Sequence, residues 1–109
     1  MLSTVPSVEI GRKIARDIVE SRLAACVNLV PNLTSVYEWE DKLREEPEVL
    51  LIIKTTADLV ERLRERIAEI HPYAVPEIIA IPIMSGHEKY LEWIRSVTCS
   101  CETREDAAK

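Results

Sequence analysis

The apolar run in "EVLLIIK" limits what this chain can fold into more than any other stretch. Its apolar residues are consecutive, whereas a helix or strand with one face in water has polar residues at regular intervals between the apolar ones. An uninterrupted run of this length is typical of a β-strand buried on both faces. The sequence therefore predicts a core built around a sheet.

Two amphipathic patterns flank this strand and predict helices. The first, "SVEIGRKIARDIVESRLA", has Ser7 as a candidate N-cap, and Gly11 weakens it slightly. The second, "TTADLVERLRERIAEI", begins with Thr55 and Asp58, which resemble a capping pair. The apolar stripes are Ile10, Ile14, Ile18 and Val19 in the first helix, and Leu59, Leu63, Ile67 and Ile70 in the second.

A third, shorter helix is predicted in "SGHEKYLEWIRSV". Ser85 and Glu88 have the spacing of a capping box, and His87 is expected to be exposed in the first turn. Four apolar or aromatic residues are expected to pack inward: Tyr90, Leu91, Ile94 and Val97.

The remaining segments predict strands and connections. "ACVNLVPNLTSVYEWE" is an extended ribbon by its β-branched and aromatic content, with a bulge or bend at Pro31 and Asn32. "DKLREEP" is expected to be a charged connection, with "REEPE" a solvated turn. "PEIIAIPI" predicts a further strand, whose Pro82 must lie at an edge or a bulge.

The predicted order is helix, strand, strand, helix, strand, helix. One strand before the first helix would complete the β-α-β-β-α-β split motif of ferredoxin-like α+β folds, and only "MLSTV" is available to form it. The first strand is therefore expected to be short or truncated. We predict a single domain over residues 1–98, followed by a polar tail over residues 99–109.

Composition excludes several classes of function. The net charge of −5 argues against a sequence-independent nucleic-acid binder and against an anionic membrane surface as partner. No apolar run approaches the roughly 18 residues of a membrane span. The N-terminus lacks the pattern of a signal peptide, and three cysteines do not suggest a disulfide framework, so a reducing, cytoplasmic compartment is expected. With only two glycines, a phosphate-binding loop is excluded.

Several motifs in this order resemble the CutA divalent-cation-tolerance family: "TVPS", "LAACVN", "SVYEW", "HPYAVPEI" and "YLEWI". The resemblance covers residues 4–97. It implies a ferredoxin-like fold related to PII signalling proteins and a homotrimer in which long strands pair across subunits. It also implies a link to copper and other divalent cations, and no enzymatic activity.

The sequence departs from the family pattern at both ends. Family members usually have several more apolar residues before "TVPS", in a strand that lies centrally in the sheet. A truncated N-terminus would also be compatible with an organellar form. The "CSC" of the tail is not part of the family motif, so no role can be transferred to it.

Thiols are the first candidate metal ligands. Cys26 is a candidate soft ligand for Cu(I), although free cysteines are more often small buried hydrophobes. A lone thiolate needs a second ligand, such as His71 or a copy of itself from another subunit. Cys99 and Cys101, with Glu102, form a weaker candidate, since an accidental pair on an unstructured tail is the simpler interpretation.

A second candidate site is a ligand cleft between subunits. The resemblance implies that six positions line it: Tyr37, Trp39, Lys54, His71, Tyr73 and Glu77. Histidine and carboxylate suit a divalent cation, whereas lysine with aromatic rings suits a small anion. The competing interpretation is structural: His71 caps a helix, the tyrosines pack, and the prolines fix the entry angle of the next strand.

The sequence therefore predicts a trimeric protein of divalent-cation tolerance that binds copper or another cation rather than catalysing a reaction. Two alternatives remain open at this stage. One is a PII-like sensor of a small anion in the same clefts. The other is a scaffold that assists the maturation or anchoring of another protein, as animal relatives are linked to acetylcholinesterase.

Overall fold

The structure, a computed structural model, describes residues 1–98. The elements are β1 (Leu2–Val5), α1 (Val8–Glu20), β2 (Cys26–Trp39), β3 (Lys42–Lys54), a 3₁₀ turn (Ala57–Leu59), α2 (Val60–Ile70), β4 (Ile78–Ile79) and α3 (Glu88–Val97). None of the helices described within residues 1–98 has the length and hydropathy that a bilayer crossing needs.

One antiparallel sheet organises the chain, with strand order β2-β3-β1-β4. This order, with the β-α-β-β-α-β succession and an added C-terminal helix, confirms the predicted ferredoxin-like α+β fold. The first strand is short, as expected, and "MLSTV" supplies it. It lies between β3 and β4 and pairs with both, and the Met1 nitrogen donates a further hydrogen bond to the Ile53 carbonyl at 2.7 Å.

The core lies between one face of the sheet and helices α1 and α2. Alternate residues of the central strands point into it, as the two-residue period of a strand requires: Val5, Val49, Leu51 and Ile53. The predicted helical stripes meet them, because Ile14, Ile18, Leu63 and Ile67 are buried in the same cluster. Val19, predicted to belong to the first stripe, is instead exposed. Each such side chain contributes roughly 1.5–3 kcal/mol by leaving water, which makes these stripes the main source of stability.

Gly11 brings α1 close to the sheet. A Cβ at this position would lie 3.1 Å from Leu29 Cδ2 and 3.2 Å from Val5 Cγ2. The residue that weakens the helical pattern in the sequence is thus a point where the helix backbone lies close to side chains of the sheet. A side chain there would push α1 away from the core.

The charged segment "DKLREEP" is not a connection, which corrects the sequence-based prediction. Only Glu40 and Asp41 form the turn, with φ of 53° and 62°, and Lys42 already pairs with Trp39. The two consecutive positive φ angles are those of the tight turn whose twist matches a two-stranded hairpin. Polar residues are compatible with the strands here because this part of the hairpin extends beyond β1 and is largely solvent-exposed.

The predicted irregularity at Pro31 and Asn32 is confirmed as a β-bulge. The register moves from Val30 opposite Leu50 to Leu33 opposite Glu48, so β2 holds one extra residue, and Asn32 has a φ of 66°. Asparagine tolerates this left-handed conformation better than most residues. The bulge changes which face the later side chains of β2 point to.

The helix caps agree with the sequence in one case and differ in two. Ser7 caps α1 by accepting a hydrogen bond from the Ile10 amide at 3.2 Å. Thr55 does not cap a helix, because its hydroxyl donates to the Leu23 carbonyl at 2.6 Å. The predicted Ser85–Glu88 capping box is also wrong, since α3 begins at Glu88 without a side-chain cap.

The end of the domain differs from the prediction in two further details. Paired β4 contains only Ile78 and Ile79, and the following residues of "PEIIAIPI" are exposed and unpaired within residues 1–98. In α3, Ile94 is buried, but Tyr90 is exposed and contacts the Trp93 ring at a centroid distance of 5.7 Å. The predicted tail with Cys99 and Cys101 lies outside the described residues.

Replacing Arg22 by glycine is expected to stabilise the protein. Arg22 lies just after α1, whose C-cap is Ser21, and has a φ of 65°. This left-handed conformation costs an ordinary residue roughly 1–2 kcal/mol; glycine avoids that cost but gives back part of the gain through the larger entropy of its unfolded chain. Arg22→Gly should raise the free energy of unfolding by about 0.5–1 kcal/mol in urea denaturation. Arg22→Ala, which keeps the strained conformation, is the control; equal stability of the two variants would contradict this explanation.

The contact between α1 and α2 predicts a loss of stability at low pH. Arg66 binds both Asp17 carboxylate oxygens, at 2.8 and 2.6 Å, and this bond lowers the pKa of Asp17. A lowered folded-state pKa gives stability that is present above the ordinary aspartate value and is lost as the pH falls through the folded value. Asp17→Asn should therefore destabilise the protein at neutral pH, and its difference from wild type should vanish in acid.

The exposed ion pair of Arg64 with Glu61 provides the control for that measurement. Glu61→Gln should have a smaller effect at neutral pH, because an exposed pair within one helix is screened by solvent. Equal losses for Asp17→Asn and Glu61→Gln would show that the interhelical bond has no special role.

Candidate functional site

The candidate residues lie in three groups along β3. The first group is at its C-terminal end, where Lys54 stands directly opposite Cys26 of β2. The Lys54 ammonium donates a hydrogen bond to the Asn28 side-chain oxygen. Cys26 is a free, half-buried cysteine on the edge strand of the sheet.

The second group surrounds Glu48, in the middle of the hairpin. The Tyr73 hydroxyl donates to Glu48 Oε2 at 2.8 Å, and the Ser35 hydroxyl donates to Glu48 Oε1 at 2.6 Å. One carboxylate thus ties the segment after α2 to both strands of the hairpin. Glu77 lies just before β4 and is exposed.

The third group lies near the hairpin turn. Tyr37 stands opposite Arg44 and donates a hydrogen bond to Glu46, while Trp39 stands opposite Lys42 and is 45% exposed. The register places both rings on the same face, as the alternation along the strand predicts. This is the face opposite α1 and α2, here named the second face; it also holds Leu50, Ile52 and Lys54.

Distance separates the first and third groups within one chain. Arg44, opposite Tyr37, is ten residues along β3 from Lys54. A strand rises about 3.3 Å per residue, so these positions are roughly 33 Å apart. The structure therefore does not bring Tyr37, Trp39 and Lys54 into one pocket of a single subunit.

His71 is the most buried candidate, with 7% of its surface exposed. It is the residue at which α2 ends, and both of its ring nitrogens have partners: Nε2 is 2.8 Å from the Thr4 carbonyl, and Nδ1 accepts the Tyr73 amide at 3.1 Å. Its ring also contacts the Tyr73 ring at a centroid distance of 4.8 Å. These bonds give His71 a structural role, and binding a metal would break one of them.

Tyr37 and Tyr73 ionise with more difficulty than free tyrosine. Burial is the main cause that raises the pKa of Tyr73, followed by the hydrogen bond to Glu48 and the negative charge of that residue. The hydrogen bond to Glu46 raises the pKa of Tyr37. Both hydroxyls therefore remain donors at neutral pH and hold their carboxylates in place.

Within residues 1–98, no group of three or more His, Cys, Asp or Glu side chains is placed to hold a metal ion. A cavity of about 270 Å³ lies elsewhere, between the end of α1 and α3. Its lining contains none of the candidate residues: Val19, Glu20, Arg22, Ala24, Ala25 and Val97.

Three further residues of the candidate site were not predicted from the sequence: Asn28, Ser35 and Glu48. Asn28 contacts Lys54, Glu48 contacts Tyr73, and Ser35 contacts Glu48. These contacts depend on the register of β2 against β3, which no local motif in the sequence indicates. The sequence-based prediction missed that register because it treated the first half of β3 as a connection.

The fold and the placement of these side chains define a ferredoxin-like α+β domain with a long hairpin that extends from its sheet. Residues 1–97 match the family described as CutA1 divalent ion tolerance protein. The chain belongs to this family.

Individual relatives support the assignment. The divalent-cation tolerance protein CutA of Thermus thermophilus is 52% identical over 90% of this chain and 95% of its own length. Its solved structure has a TM-score of 0.87, and CutA1 from Oryza sativa has 0.89 at 47% identity, covering 92% of each chain. Human protein CutA is 50% identical over 87% of this chain, which matches only 53% of the human protein's length.

Removing the negative charge of Glu48 should make Tyr73 easier to ionise. Glu48→Gln keeps a side-chain oxygen but loses the charge, so the pKa of Tyr73 should fall towards the ordinary value while burial keeps it raised. A raised folded-state pKa means that the stability from this contact is present below the ordinary tyrosine pKa and is lost at higher pH. Ultraviolet absorbance of the three tyrosines, with Tyr73→Phe to assign Tyr73, measures the change.

Glu46→Gln is the matched control, because Glu46 accepts the hydrogen bond of Tyr37. It should lower the pKa of Tyr37 more than that of Tyr73. A Tyr73 titration that Glu48→Gln leaves unchanged would contradict the contact.

Proposed function

We propose that this protein acts in divalent-cation tolerance as a homotrimer that binds copper or another cation in clefts between its subunits. The family assignment supports the tolerance role. The observation that carries the cleft is the separation of the candidate residues along β3, because a second subunit is needed to bring the ends together. Binding, and not turnover, is the proposed mode of action.

Unpaired strand edges support the assembly. β2 is an outer strand of 14 residues, and its free edge has no partner strand within residues 1–98. At the opposite edge, the chain after β4 exposes apolar side chains, including Ile81, Ile83 and Met84, the last 94% exposed. Free backbone groups beside exposed apolar residues favour pairing with another copy, and a head-to-tail contact that closes on itself forms a ring.

The proposed cleft lies where the hairpin of one subunit reaches its neighbour. Tyr37 and Trp39 would come from the hairpin, and Cys26 and Lys54 from the strand ends of the adjacent subunit. Tyr73, which Glu48 holds near the middle of the hairpin, and Glu77, just before β4, would form the wall between them. This arrangement uses residues that one chain keeps roughly 33 Å apart.

The donor atoms suggest which ions the cleft takes. The Cys26 thiolate is a soft ligand that favours Cu(I), while the Glu77 carboxylate favours harder divalent cations. His71 has a structural role in this proposal, because both of its nitrogens are already engaged. A reducing compartment, the cytoplasm or an organelle, would keep the thiol available; one plant relative is named as chloroplastic.

Native mass spectrometry during a copper titration under reducing conditions tests the proposal, since it reports subunit number and bound copper together. We expect a trimer with specifically bound copper. Losing an outer-shell partner typically weakens metal binding about 10–100-fold. Cys26→Ser removes a direct ligand, so it should weaken copper binding by more than that. Lys54→Ala, on the opposite residue, is the matched control and should keep copper.

A chain ending at Val97 separates the core site from the tail cysteines. It should retain copper if Cys26 is the ligand. Loss of copper only on truncation would move the site to Cys99 and Cys101 and overturn the proposed cleft. A monomer at micromolar concentration would overturn the assembly itself.

A further inference from the structure

We propose that His71 is an acid-sensitive latch that fastens residues 72–77 to the sheet and releases them when its ring is protonated. The segment carries Tyr73 and Glu77, and it runs from the end of α2 to β4. Three contacts hold its first part: Tyr73 N–H to His71 Nδ1 at 3.1 Å, His71 Nε2 to the Thr4 carbonyl at 2.8 Å, and the Tyr73 hydroxyl to Glu48 at 2.8 Å.

The partners fix the protonation state of the closed latch. A backbone amide can only donate, so Nδ1 must be the unprotonated nitrogen of the ring. The Thr4 carbonyl can only accept, so Nε2 must carry the proton. The closed arrangement therefore requires neutral His71 in a single tautomer.

Protonation breaks only one of the two ring contacts. The imidazolium carries hydrogens on both nitrogens, so Nδ1 would face the Tyr73 amide as donor against donor. Its bond from Nε2 to Thr4 would instead become charge-assisted and stronger. The ring thus stays on β1 while Tyr73 moves away, so the opening is confined to the segment after His71.

Charged and dipolar groups face the His71 ring from the elements packed around it. The ring stands at the C-terminus of α2, where the helix dipole favours a cation. Glu48 of β3 lies behind Tyr73, and Glu69 of α2 is engaged by Arg66 at 3.3 Å. The Thr4 carbonyl of β1 adds another negative dipole at Nε2.

Release would also change Glu48. Its Oε2 loses the Tyr73 hydroxyl, while its Oε1 keeps the Ser35 hydroxyl. Acid would therefore free a carboxylate oxygen on the hairpin and a tyrosine on the segment in the same step. The latch does not depend on what the cleft binds.

Nuclear magnetic resonance of the full-length protein tests the latch. The chain has three tyrosines and two histidines, so isotope labelling of the tyrosine nitrogens and histidine rings gives few signals. Tyr73→Phe and His87→Gln assign them. As pH is lowered, the Tyr73 amide signal should shift with the same midpoint as the His71 ring, while the Tyr90 amide, bonded to the His87 carbonyl, should not follow.

Hydrogen exchange, corrected for the intrinsic effect of pH, provides the second measurement. Across the His71 titration, protection of the Tyr73 amide should fall about tenfold relative to Tyr90, as expected for losing one ordinary hydrogen bond. His71→Asn offers an oxygen that accepts the amide but does not titrate, so it should remove the transition. His87→Gln should leave it intact.

Three results would overturn the latch. The first is a His71 ring that titrates while the Tyr73 amide stays unchanged. The second is a His71 ring that does not titrate before the protein unfolds. The third is a transition of the Tyr73 amide that His87→Gln abolishes.

Discussion

The pairing of β3 with two different strands is the constraint on which the rest of the structure depends. Its C-terminal half pairs with β1 on one side and β2 on the other, while its N-terminal half pairs with β2 alone. The C-terminal half of β3, with its two neighbouring strands, supports the helices and the core. The N-terminal half, with β2, carries the aromatic and acidic side chains into solvent. A single strand therefore joins the stable part of the domain to the part proposed to bind.

The polar contacts follow from this division. In the core, the side chains from β3 are aliphatic and need no partner, whereas on the exposed hairpin the charged ones find hydroxyls across the strand pair. Glu48 stands at the boundary, directly before buried Val49. Because it binds both Ser35 and Tyr73, it links the hairpin to the end of α2 at the place where the core stops.

The sequence predicts the fold well where burial determines structure. The apolar stripes of α1 and α2 pack against alternate residues of β3 in one core, as predicted. The predicted burial of β3 on both faces is wrong for the single chain, because Leu50 and Ile52 on the second face are only half-buried. Hydrophobic patterning cannot define the hairpin, because Lys42–Pro47 are charged or exposed and pair through backbone bonds. The same limitation explains the capping errors: Thr55 finds a carbonyl distant in sequence, which no local motif indicates.

The candidate site was predicted in its residue types but not in its layout. Tyr37, Tyr73 and Lys54 could be selected from motifs, yet their separation requires knowing that β3 runs without interruption for 13 residues. The role of His71 likewise depends on a contact with Thr4, which is 67 residues away in the chain. Local signals selected the candidate side chains, and long-range pairing decided what each one touches.

The bulge at Pro31 and Asn32 restricts how the length of this hairpin can vary in evolution. Before it, Leu29 points into the core with the odd-numbered residues of β2; beyond it, Tyr37 and Trp39, also odd-numbered, point to the second face. Deleting one residue at the bulge would leave both rings opposite Arg44 and Lys42, whereas deleting one residue between the bulge and Tyr37 would shift them by one position against β3 and move them to the opposite face. Natural insertions or deletions that preserve the site should therefore occur near the turn, in matched numbers on the two strands. There they lengthen or shorten the hairpin without changing the face to which each side chain points.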